Sequence, residues 1–103
     1  MIEVRLTYAF REWRDGLRDS RAKAAIARRI DPLASGNPGD TKFLGKGVSE
    51  LRIDHGPGYR VYYMRRGALL IVLLCGGDKS TQSKDIAEAM ELAANWTDEE
   101  DEA

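Results

Sequence analysis

Arginine and tyrosine side chains that could bind nucleic acid are concentrated in and just before the stretch DHGPGYRVYYMRRG, residues 54–67. Side chains two apart on a strand point the same way, so Arg60 and Tyr62 would share a face, and Arg52 has the outward parity of the preceding strand. If these strands pair, the polar patch could neutralise phosphates and stack bases. Three lysines would approach it from its rims: Lys42, Lys46 and Lys79. The alternative is an ordinary exposed sheet face, on which tyrosine and arginine are common.

The segment GGDKSTQSKDI, residues 76–86, places Lys79 where an anion could bind. Its two glycines are expected to end a buried strand, and the Asp, Ser and Thr residues that follow can cap a helix. Lys79 would then lie beside a helix N-terminus, where negative charge is favoured. The alternative is a solvated lysine within a simple cap.

Several other classes of site are excluded by the residues present. One histidine and one cysteine cannot assemble a metal site of three or four soft ligands, and the motifs HExxH and CxxC are absent. GGDKST is too short for a phosphate-binding P-loop, and no GxSxG elbow accompanies His55. No metal and no cofactor are therefore predicted. Cys75, in the apolar run ALLIVLLCGG, is predicted to be a buried structural thiol in a reducing compartment.

Length and charge bound the domain organisation. The chain of 103 residues can form one domain with its own core, predicted for residues 1–97. Five of the seventeen acidic residues fall in positions 98–102, so residues 1–97 carry sixteen basic and twelve acidic side chains, a net charge of +4. Residues 98–103 are expected to form a disordered acidic tail. The longest apolar run, 68–75, is far shorter than the roughly 20 residues of a membrane helix, which favours a cytoplasmic protein.

The N-terminal third has the patterns of one strand and two helices. MIEVRL, residues 1–6, alternates apolar with charged residues, as in a half-buried strand. Thr7 offers a cap for a first helix, and Asp19 and Ser20 are N-cap types that precede a second. The apolar stripes are Phe10, Trp13 and Leu17 on the first helix and Ala22, Ala25, Ile26, Ile30 and Leu33 on the second.

The rest of the chain has the patterns of three strands and a final helix. Turn-forming residues 34–40 end the helical part, and strand character recurs over 47–54, 58–64 and 68–75. The last of these is apolar throughout, which suits a central strand that is covered on both faces. A final helix near 80–96 is predicted to cover its far side. The predicted fold is α+β: a strand, a two-helix hairpin, a three-stranded antiparallel meander joined by the first strand, and a C-terminal helix.

ELRIDHGPGYRVYY, the apolar strand after it and GGDKSTQSKDIAEA resemble the RelE/ParE toxin superfamily, and more closely its addiction-module killer or HigB-like branch. The resemblance covers residues 1–95, and its most specific pieces are 58–61 and 77–82. It implies a RelE-like fold and the toxin of a type II toxin-antitoxin pair. RelE-like members are implied to cut messenger RNA in the ribosomal decoding site without a metal, by attack of a 2′-hydroxyl on the adjacent phosphate.

The resemblance also implies roles for single residues. Arg60 matches the arginine of the family's Gly-Tyr-Arg motif and is assigned to phosphate stabilisation. Arg52 falls where RelE-like toxins carry the second of two lysines, and Lys79 falls near the cation that follows the last strand.

Two positions depart from the RelE pattern. Glu50 occupies the place of the first lysine, and Asp85 stands about where RelE has its late catalytic tyrosine. The general base and acid therefore stay open, with His55, Tyr62 and Glu50 as candidates and the imidazole best matched to neutral pH.

The resemblance therefore implies a ribosome-dependent mRNA endonuclease, an mRNA interferase that inhibits translation. The alternatives are a ParE-like non-catalytic toxin that inhibits DNA gyrase and a decayed toxin that only binds its antitoxin. The expected partners are a helix-turn-helix, HigA-like antitoxin in a hetero-oligomer, the ribosome and mRNA, with no membrane. The predicted catalytic residues are Arg60, Lys79, Arg52, His55 and Tyr62, and the predicted RNA-binding residues are Lys42, Lys46 and Arg65.

Overall fold

The computed structural model describes residues 2–97, which form a five-stranded sheet with helices on both faces. In chain order the elements are β1 (Glu3–Leu6), α1 (Tyr8–Gly16), α2 (Ser20–Ala34), β2 (Thr41–Gly45), β3 (Val48–Ile53), β4 (Tyr59–Arg66), β5 (Leu70–Asp78), a 3₁₀ helix (Lys79–Thr81) and α3 (Gln82–Asn95). The predicted acidic tail, residues 98–103, lies outside the described residues. No helix within residues 2–97 is long and apolar enough to cross a lipid bilayer.

The strand order across the sheet is β1-β5-β4-β3-β2. β1 runs parallel to β5, and all other neighbouring strands are antiparallel. The predicted α+β class, the antiparallel β3, β4 and β5 meander and its junction with the first strand are confirmed. This architecture is compatible with an α+β toxin fold.

α1 and α2 begin where the sequence supplies a capping side chain. Thr7 Oγ1 accepts a hydrogen bond from the Phe10 N–H at 3.1 Å, and the Asp19 carboxylate accepts one from the Arg21 N–H at 2.9 Å. Each bond satisfies an N–H that the first turn of a helix leaves without a partner. The predicted starts of both helices are therefore confirmed.

Two apolar layers cover the two faces of the sheet. The layer under α1 and α2 includes Phe10, Ile26, Leu33, Leu51, Val61, Ile71 and Leu73. The layer under α3 includes Val48, Tyr62, Met64, Val72, Leu74, Ala89 and Ala93. Because residues of β5 alternate between the layers, this central strand is buried on both sides, as its apolar sequence predicts. Cys75 is buried there, and burial raises the pKa of its thiol.

β2 is a strand that the sequence analysis does not predict. It pairs antiparallel with β3 at one edge of the sheet. Lys42 and Phe43 are both exposed, so TKFLG shows no alternation of buried and exposed residues. Residues 45–47, from the last residue of β2 onward, all have positive φ and form the turn into β3. The sheet thus has five strands, not the four predicted.

The glycine pair of GGDKST lies within β5, and the expectation that it ends the strand is wrong. A Cβ on Gly76 would lie 2.3 Å from the Trp13 ring, and a Cβ on Gly77 would lie 1.7 Å from Asp85 Oδ2. α1 and α3 therefore approach the strand so closely that only glycine fits at these two positions.

The end of β5 leads into α3 through one short turn. The Asp78 carboxylate accepts a hydrogen bond from the Ser80 N–H at 2.8 Å and so caps the 3₁₀ helix. Asp78 is thus a cap, as predicted, but α3 begins at Gln82 and not at Ser80.

Candidate active site

Pairing of β3 with β4 places Arg52 and Arg60 directly opposite each other. Residues opposite each other on neighbouring strands project to the same face of a sheet, so both guanidinium groups lie on the α3 side. The Arg60 side chain is 13% exposed and that of Arg52 is 38% exposed. The predicted juxtaposition of these two arginines is therefore confirmed.

Glu50 lies completely buried between these arginines and α3. Its carboxylate accepts hydrogen bonds from Arg52 Nε at 3.2 Å, from the Tyr62 hydroxyl at 3.2 Å and from Gln82 Nε2 at 2.6 Å. Arg60 Nε lies 3.8 Å from the same carboxylate.

Burial alone would raise the pKa of Glu50, but hydrogen bonds from Gln82, Arg52 and Tyr62 outweigh it and leave the pKa below the usual range. Glu50 is therefore ionised at neutral pH, and its negative charge offsets the repulsion between the two guanidinium groups. A carboxylate with a lowered pKa is also a weaker general base.

Tyr62 does not lie on an exposed patch, and the sequence expectation of an open polar face around it is wrong. The residue has no exposed surface, because α3 covers this face of the sheet. Burial and the neighbouring Glu50 charge raise the pKa of its phenol, whose hydroxyl donates to Glu50. Its ring is thus enclosed by protein and has no face available for stacking on a base.

A cleft of about 500 Å³ opens beside the arginines, where β3 ends and β4 begins. It brings together four of the five predicted catalytic residues: Arg52, His55, Arg60 and Lys79. The Gly56-Pro57-Gly58 turn forms one wall, and Arg60 Nη1 donates to the carbonyl of Gly58 at 3.2 Å. Asp40 and Asp54 complete the polar lining. Three cationic side chains therefore converge on one open volume.

His55 lies at the rim of this cleft, with its ring stacked on Tyr59 at a centroid distance of 6.4 Å. Its Nε2 lies 3.5 Å from Oδ2 of Asp19, the residue that caps α2. The pKa of Asp19 is lowered, mainly by the Arg21 N–H and further by His55. This contact brings the imidazole at the edge of the cleft next to the start of α2.

The predicted RNA-binding residues do not line this cleft. Lys42 lies exposed on the edge strand β2, opposite Glu50. Lys46 and Arg65 lie at the other end of the sheet, where they line a separate depression of about 210 Å³ together with Arg66. The spacing along β4 puts this depression about 17 Å from Arg60.

The sequence analysis does not place Gln82 or Asp19 in the site. Gln82 donates the shortest of the hydrogen bonds to Glu50, and the Asp19 carboxylate lies 3.5 Å from the His55 ring. Both contacts join residues more than thirty positions apart, and no local pattern signals them. Within residues 2–97, no group of three or more His, Cys, Asp or Glu side chains is placed to hold a metal ion.

The α+β architecture, with a cleft lined by three cationic side chains, is compatible with a toxin fold. Residues 12–97 match the family described as Phage derived protein Gp49-like (DUF891), and the chain belongs to this family. A protein of Haemophilus influenzae described as uncharacterized is 51% identical over 92 residues, which cover 89% of this chain and 93% of that protein. The Gp49-like family is toxin-like and occurs in addiction modules, and membership indicates an antitoxin partner. The match is to the Gp49-like family as a whole, not to a RelE-like or ParE-like branch.

Proposed function

We propose that this protein is the toxin of a type II toxin-antitoxin pair and that it cuts messenger RNA on the ribosome. The observation that carries the proposal is the convergence of Arg52, Arg60 and Lys79 on one cleft with His55 at its rim. Guanidinium groups bind phosphate oxygens in a fixed fork, and a lysine adds a mobile point charge. This arrangement suits a phosphodiester that gains negative charge in its transition state.

His55 is the best general base among the three candidates. Tyr62 is buried with a raised phenol pKa, and Glu50 is buried with a lowered pKa and its oxygens already occupied. In the proposed reaction His55 takes the proton of a nucleotide 2′-hydroxyl. The 2′ oxygen then bonds to phosphorus, and the bond from phosphorus to the 5′ oxygen breaks. The departing oxygen takes a proton from solvent or from Lys79, which leaves a cyclic phosphate and a 5′-hydroxyl.

The composition of the cleft lining supports dependence on the ribosome. Its residues include three cations and a glycine-containing turn, and its one aromatic ring is the imidazole of His55, which already stacks on Tyr59. Single-stranded RNA is usually held by stacking of its bases on such rings. A cleft that contacts phosphate but offers so little ring surface binds single-stranded RNA weakly by itself, and in this proposal the ribosome holds the message against it.

The proposed partners follow from the family and from this mechanism. The addiction-module setting supports a cognate antitoxin, proposed here as a HigA-like helix-turn-helix protein in a hetero-oligomer. The ribosome and its bound message are proposed as the target.

The proposal is tested by expressing the wild-type chain, Arg60→Ala and a control, Arg18→Ala, and following incorporation of labelled amino acids and labelled thymidine. Arg18 is an exposed arginine in the α1–α2 connection. The wild type and Arg18→Ala are expected to stop protein synthesis first and to leave cut messages, whereas Arg60→Ala stops neither synthesis. An early stop of DNA synthesis would instead indicate a gyrase poison. No effect of the wild type on either synthesis would indicate a chain that only binds its antitoxin.

A further inference from the structure

The guanidinium of Arg29 on α2 holds the main chain of two segments that line the cleft. Its Nε donates to the carbonyl of Arg52 at 3.0 Å. Its Nη2 donates to the carbonyls of Pro38 and Asp40, at 3.1 and 2.9 Å. Arg52 and Asp40 both line the cleft. One side chain thus joins a helix, the end of β3 and the loop 38–40.

The segments that Arg29 contacts also contact each other. The Asp40 carbonyl also accepts a hydrogen bond from the Arg52 N–H at 3.1 Å. It therefore binds both the main chain of Arg52 and the guanidinium of Arg29. Gly39 has a positive φ of 66°, and a Cβ there would lie 2.9 Å from Arg29 Nη1. The loop 38–40 therefore wraps directly against the guanidinium. A planar group with five donors suits this task, because it reaches three carbonyls at once.

We propose that Arg29 is a positioning residue that fixes Arg52 in the cleft and thereby sets its affinity for phosphate. Arg29 does not line the cleft and acts only through the main chain of Arg52 and Asp40. Without it, three carbonyls lose a charged donor, and the main chain that carries the Arg52 side chain is held less tightly. α2 itself stays in place, since Ala22, Ile26 and Leu33 remain buried against the sheet. The link to phosphate rests on the proposed function.

The neighbouring Arg28 provides a matched control, because it carries the same charge one position earlier on α2 and is exposed. Inorganic phosphate is the probe, titrated into wild-type protein, Arg29→Ala and Arg28→Ala and followed by NMR. Arg29→Ala is expected to weaken phosphate binding about tenfold, whereas Arg28→Ala binds as the wild type does. Arg29→Lys, which keeps the charge but has a single ammonium, is expected to give an intermediate affinity.

A double-mutant cycle separates positioning from a general effect of charge or stability. If Arg29 acts through Arg52, Arg29→Ala weakens phosphate binding in the wild-type background but not in Arg52→Ala. An equal loss in both backgrounds would overturn the proposal, and so would wild-type affinity in Arg29→Ala.

A second readout does not depend on phosphate. The Arg52 Nε–H, which donates to Glu50, is expected to exchange with solvent faster in Arg29→Ala and Arg29→Lys than in Arg28→Ala. If the wild type binds no phosphate, the proposed function fails, while faster exchange still supports the positioning role. Equal exchange rates in all variants would refute that role even if phosphate binds.

Discussion

Arg52 and Arg60 lie directly opposite each other on β3 and β4, and the carboxylate of Glu50 lies 3.2 and 3.8 Å from their Nε atoms. Two guanidinium groups on neighbouring strands repel each other in the absence of an anion. Glu50 supplies a permanent one, held by Gln82 and Tyr62 from the α3 side. The two cations can therefore stay together whether or not a phosphate is bound, and a bound phosphate can be shared between them. Glu50 is thus the counter-charge of the arginine pair.

Glu50→Gln is expected to lower the free energy of unfolding by about 2 kcal/mol, because it removes a buried charge and leaves two arginines without their anion. Urea unfolding measures the change. The control is Glu3→Gln, which breaks an exposed ion pair with Arg5 and should cost less than about 0.5 kcal/mol. A loss no larger than that of the control would show that Glu50 does not hold the pair together.

The contribution of Glu50 should also depend on pH. Its pKa is lower in the folded chain than in the unfolded one, so its stabilisation is complete above the unfolded pKa and disappears as pH falls through the folded value. The difference in unfolding free energy between wild type and Glu50→Gln is therefore expected to be constant near neutral pH and to shrink below about pH 4. Urea midpoints at pH 7 and pH 3 provide the comparison. A difference that grows on acidification would mean that the pKa of Glu50 is raised, not lowered.

Gly77→Ala tests the close approach of α3 to β5. The new Cβ would overlap Asp85 Oδ2, and Asp85 is buried and cannot swing aside. The expected loss is about 3 kcal/mol in the free energy of unfolding. Gly16→Ala is the matched control, because a Cβ at the end of α1 meets no atom within 4 Å and should change stability by less than about 0.5 kcal/mol. Equal stability of the two variants would contradict the close contact between Asp85 and β5.

The sequence predicts the parts of the site that depend on strand parity. Arg52 and Arg60 have matching parity on consecutive strands, and a hairpin puts such residues side by side whatever covers them. Strand parity does not reveal that α3 lies over Tyr62, because the helix that packs on a sheet face is determined by the tertiary structure. Nor does it reveal that Glu50 meets Gln82, 32 positions away.

The errors at the edges of the elements have local causes. β2 is an exposed edge strand, whose residues lack the burial alternation that identifies strands. Gly76 and Gly77 have the composition of a turn, but in the fold they make room for Trp13 and Asp85. A glycine that permits close approach and a glycine that bends the chain look the same in a sequence.

Lys46→Ala and Arg65→Ala test whether RNA extends from the cleft to the depression at the far end of the sheet. Each variant is expected to weaken binding of single-stranded RNA and to reduce the slope of log affinity against log salt concentration by about 1. Lys23→Ala, an exposed lysine on α2, is the control and should leave the slope unchanged. Unchanged slopes in all three variants would confine RNA contact to the cleft.

His55→Asn and Tyr62→Phe separate the base from a buried support. His55 lines the open cleft, so its loss is expected to slow cleavage of translated messages about a hundredfold or more while phosphate still binds to Arg52 and Arg60. Tyr62 touches only protein, so removal of its hydroxyl should cost about 1 kcal/mol of stability and leave the cleavage rate within a few-fold of the wild type. Both rates are measured in a reconstituted translation reaction with equal amounts of folded toxin. The reverse result, an active His55→Asn and an inactive Tyr62→Phe, would mean that the phenol reaches the substrate after movement of α3, and that the imidazole is held by Asp19 for structural reasons alone.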